Sequence, residues 1–191
     1  MLSRTDNALG GVSRAGYPVG MNTASPMADG HHEPENDTDR GFLRQAVKLA
    51  VENVAEGGGP FGAVVVRDGE VIGTGQNRVT RDHDPSAHAE VVALRAAGQR
   101  INDFSMEGAT LYSSCEPCPM CMAAALWARV DRVVYAADRQ DAATGGFDDL
   151  EFYRLFETDR SEWSLPVEAV RLADATAPFD KWLASDNRAE Y

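Results

Sequence analysis

Only two of the 191 residues are lysine, Lys48 and Lys181, and only three are cysteine, all between positions 115 and 121. Three thiols packed into one short stretch cannot build a disulfide framework, and such clustering points to metal binding or catalysis. No run of the chain approaches the roughly 18 apolar residues of a membrane helix. The segment up to Thr38 also lacks the apolar h-region of a secretory signal. A cytoplasmic location with no membrane partner is therefore expected. Basic charge is short as well, with 18 Lys and Arg against 30 Asp and Glu, a net charge of −12. Nucleic-acid affinity rests on Lys and Arg neutralising phosphates, so no nucleic-acid partner is expected. The acidic, lysine-poor surface has two readings, a salt-adapted protein or a GC-rich genome that favours Arg codons.

What is present fits one globular domain. The chain is 43% hydrophobic and 25% charged, which is ordinary for a folded protein of this length. Residues 1–38 are rich in Gly, Ser, Asn, Asp and Pro and show no periodicity, so they read as a disordered extension, with His31-His32 part of a solvated tail. The folded domain is expected to occupy 39–191. Phe42, Ala46, Leu49, Ala50 and Val54 recur at helical spacing, and Gly57-Gly58-Gly59-Pro60 ends that helix. Phe61 to Val66 and Val71 to Gln76 flank an Asp68-Gly69 turn and read as a hairpin. A polar loop over 77–86 leads to a helix from Ala87 to Gly98. Ala109 to Ser113 is a strand, Pro119 to Ala128 a helix opened by proline, and Val130 to Ala136 another strand. Helices near Asp149–Phe156 and Phe179–Asn187 bracket a last expected strand at Val167–Leu172. Alternating strands and helices of this kind predict an α/β fold with a mixed sheet between helical layers.

The chemistry lies in His88-Ala89-Glu90, followed after 26 intervening residues by Pro117-Cys118-Pro119-Met120-Cys121. Either half alone is a modest signal; together, at the starts of two successive expected helices, they form a metal constellation. Zinc held by three protein groups, here His88, Cys118 and Cys121, keeps its fourth tetrahedral position for water, which is the catalytic arrangement. Zinc lowers that water's pKa from about 15.7 to about 7. The start of a helix also favours thiolate over thiol. Residues two apart do not share a helix face, so His88 and Glu90 converge only on a metal lying off the helix end. Glu90 is then placed as general acid and base. A closed structural site would need a fourth ligand, and Cys115 is the candidate for it. The direction of the preceding strand argues against Cys115.

The chain also resembles the small bacterial-type guanine deaminases of the cytidine deaminase superfamily. The resemblance is carried by Gly59-Pro60-Phe61-Gly62-Ala63-Val64, Gly75-Gln76-Asn77, Asp84-Pro85-Ser86-Ala87-His88-Ala89-Glu90, Ser114-Cys115-Glu116-Pro117-Cys118-Pro119-Met120-Cys121, Gly146-Phe147-Asp148-Asp149 and the closing Glu190-Tyr191. His-x-Glu with Pro-Cys-x-x-Cys is the signature of zinc nucleobase deaminases. The resemblance implies a three-layer α-β-α sandwich with a mixed five-stranded sheet, one Zn2+ per subunit, and hydrolysis of guanine to xanthine and ammonia. Asn77 would hydrogen-bond the purine, with Ala89 among the binding positions. Phe61 and Phe147 would line or stack on the ring, and Trp127 would wall the pocket. Asp149 would be a second proton carrier, and Tyr191 would reach the site as the last residue. It also implies a homodimer that exchanges its C-terminal segment, 160–191. From the residues alone, Phe61 and Trp127 could equally be core, Asn77 a turn residue, and Asp148 and Asp149 caps of the next helix; Asp148 is expected to keep that capping role.

Overall fold

A computed structural model describes residues 37–189. The expected extension lies outside the described residues except for positions 37 and 38, which open the first helix. The elements run α1 (Asp37–Ala55), β1 (Gly62–Arg67), β2 (Glu70–Gln76), α2 (Val79–Asp82), α3 (Ala89–Ile101), β3 (Ala109–Cys115), α4 (Pro119–Trp127), β4 (Arg132–Ala137), α5 (Arg139–Thr144), α6 (Asp149–Phe156) and α7 (Ala177–Leu183).

The sheet order is β2-β1-β3-β4. Strand β1 is antiparallel to both β2 and β3, whereas β3 and β4 are parallel. The hairpin turn takes positive φ at Asp68 (54°) and Gly69 (76°), the geometry that an Asp-Gly pair supplies between twisted strands. The parallel pair is joined through α4, as a single crossover requires.

Alternation along the strands divides the core. Ala63, Val65 and Leu111 face one side, where Ala89, Ala93, Leu94 and Ala97 of α3 and Ala125 of α4 cover them. Val64, Val66 and Tyr112 face the other, against Phe42, Leu43 and Leu49 of α1. Two helices therefore lie on one face and α1 on the other, an α-β-α sandwich. The helices sit close to the sheet. A Cβ at Gly62 would collide with the Ala46 carbonyl of α1, and one at Gly75 with the Ala89 carbonyl of α3. Glycine at 75 thus lets the first turn of α3, which carries the His-x-Glu motif, press onto β2.

Several expectations need correction. The expected fifth strand, Val167–Leu172, is not a strand within this chain, and the sheet has four strands among the described residues. Val167, Val170 and Leu172 are 54%, 82% and 63% exposed. A strand needs a neighbouring edge to satisfy its backbone, and this segment pairs with none among the described residues. The supposed loop 77–86 contains the short α2, and the following helix begins at Ala89 rather than Ala87. The unforeseen α5 is opened by a reciprocal capping box, Asp138 with Asp141. The last helix runs Ala177–Leu183, not Phe179–Asn187. Asp148 occupies the N-cap position of α6, but its φ of −87° and ψ of 6° lie outside the extended region and its side chain makes no capping bond. Among the described residues no helix is long and apolar enough to cross a membrane.

Candidate active site

His88 and Cys118 are the N-cap residues of α3 and α4, both in extended conformation. Their side chains therefore project off the helix ends, and Cys121 rises from the first turn of α4 to meet them. The ligand atoms of His88, Cys118 and Cys121 all lie within 4.8 Å of one another. Cys118 Sγ is 3.6 Å from His88 Nδ1 and 3.6 Å from Cys121 Sγ. Two soft sulfurs and an imidazole at this spacing fit zinc, with one coordination position left over. Cys115, though buried, directs its Sγ at the Asp138 carbonyl 3.5 Å away, outside the ligand cluster.

Glu90 is buried beside the ligands. Its Oε1 accepts from the Ser113 hydroxyl at 3.0 Å, and its Oε2 lies 3.5 Å from Cys121 Sγ. Burial pushes the Glu90 carboxyl above the usual range, opposed by backbone and Ser113 hydrogen bonds. The hydrogen bond between the two thiols holds Cys118 below the usual thiol range and, with burial, pushes Cys121 up. His88 is raised by its contact with Cys118.

These groups floor a cavity of about 230 Å³ lined by Phe61, Asn77, His88, Glu90, Phe147 and Asp149, with Gly59, Val79, Thr80, Glu116 and Cys118. The Phe61 and Phe147 rings meet edge to face at 4.8 Å. Asp149 is half-buried at the start of α6, and desolvation raises its carboxyl. A larger apolar hollow of about 630 Å³ opens beside it, between Met120 and Ala123 of α4 and Phe152 and Phe156 of α6.

Most of the site residues singled out from the sequence therefore converge. Ala89 is fully buried at the first position of α3. Trp127 sits at the far end of α4, 64% exposed and stacked by Arg129, and does not line the cavity. Tyr191 lies outside the described residues. Sequence reasoning gave no role to Glu116, Val79, Thr80 or Ser113. Glu116 stood inside the quoted Cys-Glu-Pro-Cys run, and Ser113 marked itself only as a polar residue in a strand that proves wholly buried around it.

An open His-Cys-Cys site beside a buried carboxylate, at the ends of two helices on an α-β-α frame, defines a zinc-dependent deaminase of the base-modifying class. Residues 36–137 match the cytidine and deoxycytidylate deaminase zinc-binding region, and the chain belongs to that family. A guanine deaminase of Bacillus subtilis (strain 168) is 47% identical over 151 residues, 78% of this chain and 97% of that protein. The X-ray structure of the B. subtilis guanine deaminase aligns with a TM-score of 0.77 at 46% identity, covering 80% of this chain and 98% of that one. A guanine deaminase structure from Nitrosomonas europaea aligns at 0.55 with 30% identity, over 65% and 80% of the two chains. A tRNA-specific adenosine deaminase of Haemophilus influenzae is 38% identical over 128 residues, 64% of this chain and 74% of that one.

Proposed function

We propose that this chain hydrolyses guanine to xanthine and ammonia, with residues 39–191 as the catalytic domain of a cytoplasmic homodimer. The observation that carries the substrate is the 47% identity to a guanine deaminase along 97% of its length, joined to a cavity that holds the motif residues together. That cavity, about 230 Å³, is below the roughly 300–1,000 Å³ of sites for drug-sized ligands. It suits a free base better than a nucleoside.

His88, Cys118 and Cys121 hold zinc, which supplies Lewis acidity and lowers the pKa of water at the site. Glu90 takes a proton from the attacking water and delivers it to the departing nitrogen as the C2–N bond breaks and a C2–O bond forms. Its burial suits this shuttle, because desolvation raises its carboxyl and so favours the protonated form between the two transfers. Asp149, also raised, acts as the second carrier beside the amino group. Asn77 hydrogen-bonds the base, Phe61 and Phe147, in edge-to-face contact with each other, line or stack on its ring, and Ala89 presents the start of α3 to it. A pocket built on such hydrogen bonds rejects a base lacking the matching groups by about 10⁴–10⁵.

The dimer is read from what the single chain leaves open. Strand β4 forms an uncovered sheet edge with Tyr135 44% exposed, while Val167, Val170, Phe179 and Leu183 face solvent. Exchange of segment 160–191 between copies would add the fifth strand and bring Tyr191 to a pocket. The cytoplasmic location rests on the three free thiols.

The test is ammonia release from guanine, guanosine, cytosine, adenine and an aminotriazine by zinc-loaded protein. Guanine alone should yield ammonia. Release from another base instead would overturn the substrate while leaving the zinc chemistry standing. A tRNA substrate, suggested by the H. influenzae relative, meets the obstacle of a −12 net charge.

A further inference from the structure

Asn53 has no place in the motifs and sits on α1, the helix on the opposite face of the sheet from α3 and α4. It is nonetheless fully buried, a rare state for a polar side chain that must be matched by partners. Its Nδ2 donates to the Gly59 carbonyl at 2.8 Å and to the Asn77 carbonyl at 2.8 Å. Its Oδ1 accepts from Arg81 Nη2 at 3.3 Å, and Arg81 also reaches Glu56 Oε2 at 3.1 Å. One carboxamide therefore ties together three separate pieces of the cavity wall: the Gly59–Phe61 strand entry, the Asn77 turn and α2 with Val79 and Thr80.

The local chain is shaped around this amide. The Gly58 N–H donates to the Asn53 carbonyl at 2.8 Å, and a Cβ at Gly58 would overlap the Asn53 carboxamide. Asn77 is held on three sides: its N–H donates to the Phe61 carbonyl at 3.1 Å, its carbonyl accepts from Asn53, and its Oδ1 accepts from the Val79 N–H at 3.2 Å. The rotation of its carboxamide is thereby fixed before any ligand arrives, with Nδ2 left for a base.

We propose that Asn53 is a positioning residue for base binding: from behind the pocket it sets the Asn77 carboxamide and the Gly59–Phe61 wall against the purine. The proposal rests on the reading of the pocket as a nucleobase site. Both Nδ2 hydrogens are committed to carbonyls, so the role demands a double donor of asparagine's shape. Asn53→Asp keeps the shape and the Arg81 contact but turns an acceptor toward two carbonyls. Asn53→Leu removes every hydrogen bond at similar volume.

The experiment measures zinc content, kcat and KM for guanine in wild type, Asn53→Asp, Asn53→Leu, Asn77→Ala and the double variant Asn53→Asp/Asn77→Ala. Zinc should stay at one per chain in Asn53→Asp, with kcat/KM down about 10- to 100-fold, the scale of a misplacement of about 1 Å, and mostly through KM. The double variant should lose less than the product of the two single losses, because part of what Asn53 does passes through the Asn77 carboxamide and the rest through the Gly59 carbonyl. A KM within about twofold of wild type in a zinc-loaded Asn53 variant would overturn the proposal, as would additive losses in the double variant. Neither Asn53 variant folding with zinc would make Asn53 a folding residue and overturn it too. Failure of the guanine reading is seen separately, in wild type, and the same ratios are then taken with whichever base wild type deaminates.

Discussion

The Ser113 hydroxyl, from the middle of β3, donates to Oε1 of Glu90 at 3.0 Å, so the buried sheet itself orients the carboxylate that faces the metal ligands. Ser113→Ala removes a hydrogen bond to a buried acid, worth roughly 1.5–3 kcal/mol, and kcat should fall about tenfold or more. Zinc content should not change, since Ser113 touches no ligand. Steady-state kinetics with metal analysis checks both halves. Glu90→Gln, which removes the proposed proton carrier, should lose at least about 10²–10⁴.

The three thiols should separate by function. Cys118→Ala and Cys121→Ala should each lose stoichiometric zinc, and turnover with it. Cys115→Ala should keep zinc and activity, because its Sγ is engaged with the Asp138 carbonyl at 3.5 Å. Metal analysis after dialysis decides this, and zinc retained by Cys118→Ala would remove the ligand assignment.

Tyr153 on α6 donates to the Pro117 carbonyl at 2.6 Å, one residue before Cys118. The Arg139 guanidinium lies over its ring at 3.5 Å and pairs with Glu116. This clamp fastens the helix that carries Asp149 to the turn that carries the metal-ligating Cys118. Tyr153→Phe keeps the stacking but frees the carbonyl. It should lower kcat by about three- to tenfold, the scale of one neutral hydrogen bond of roughly 1 kcal/mol. KM should change less, and stopped-flow single turnovers would place the loss in the chemical step.

A second network gives a pH signature. Asp39 Oδ1 accepts from Tyr112 at 2.6 Å, and Arg132 donates to both Asp39 oxygens at 3.0 and 2.6 Å. The Arg132 bond, then the Tyr112 bond, holds the Asp39 carboxyl below its ordinary range. Its stabilisation is therefore present above about pH 4, the ordinary carboxylate value, and is lost as pH falls through the depressed value. Tyr112 is pushed up to about 12 by burial and Asp39, so its share is present below the ordinary value of about 10 and is lost as pH rises toward about 12. Asp39→Asn should cost about 1–2 kcal/mol at neutral pH, allowing for solvent screening at the half-exposed Arg132. Urea melts across pH should show a flatter acid limb in this variant.

The metal site was legible because its chemistry is local. His88 and Glu90 open one helix, Cys118 and Cys121 another, and the end-on geometry follows from that placement alone. Asn77, Phe61, Phe147 and Asp149 became readable only through the family resemblance, because each has a structural role that composition cannot distinguish from binding. Asn53 and Ser113 carried no signal: each is an ordinary polar residue in an element read only for its apolar spacing, and its meaning arises from partners 24 and 23 positions away. Val167–Leu172 was read as a strand from its apolar spacing, but spacing does not supply a partner, and the segment pairs with no strand among the described residues. Trp127 was placed at the pocket by the resemblance, and its apolar helix argued for core; in the single chain it ends α4 and is 64% exposed.

The most direct test is the conversion of guanine followed with metal-stripped protein, the same protein reloaded with one equivalent of zinc, and zinc-loaded Glu90→Ala. Zinc-dependent hydrolysis through Glu90 predicts xanthine and ammonia in equal amounts from the reloaded protein alone. Turnover that survives metal removal or the loss of Glu90 would contradict it, as would zinc-loaded wild type that leaves guanine untouched.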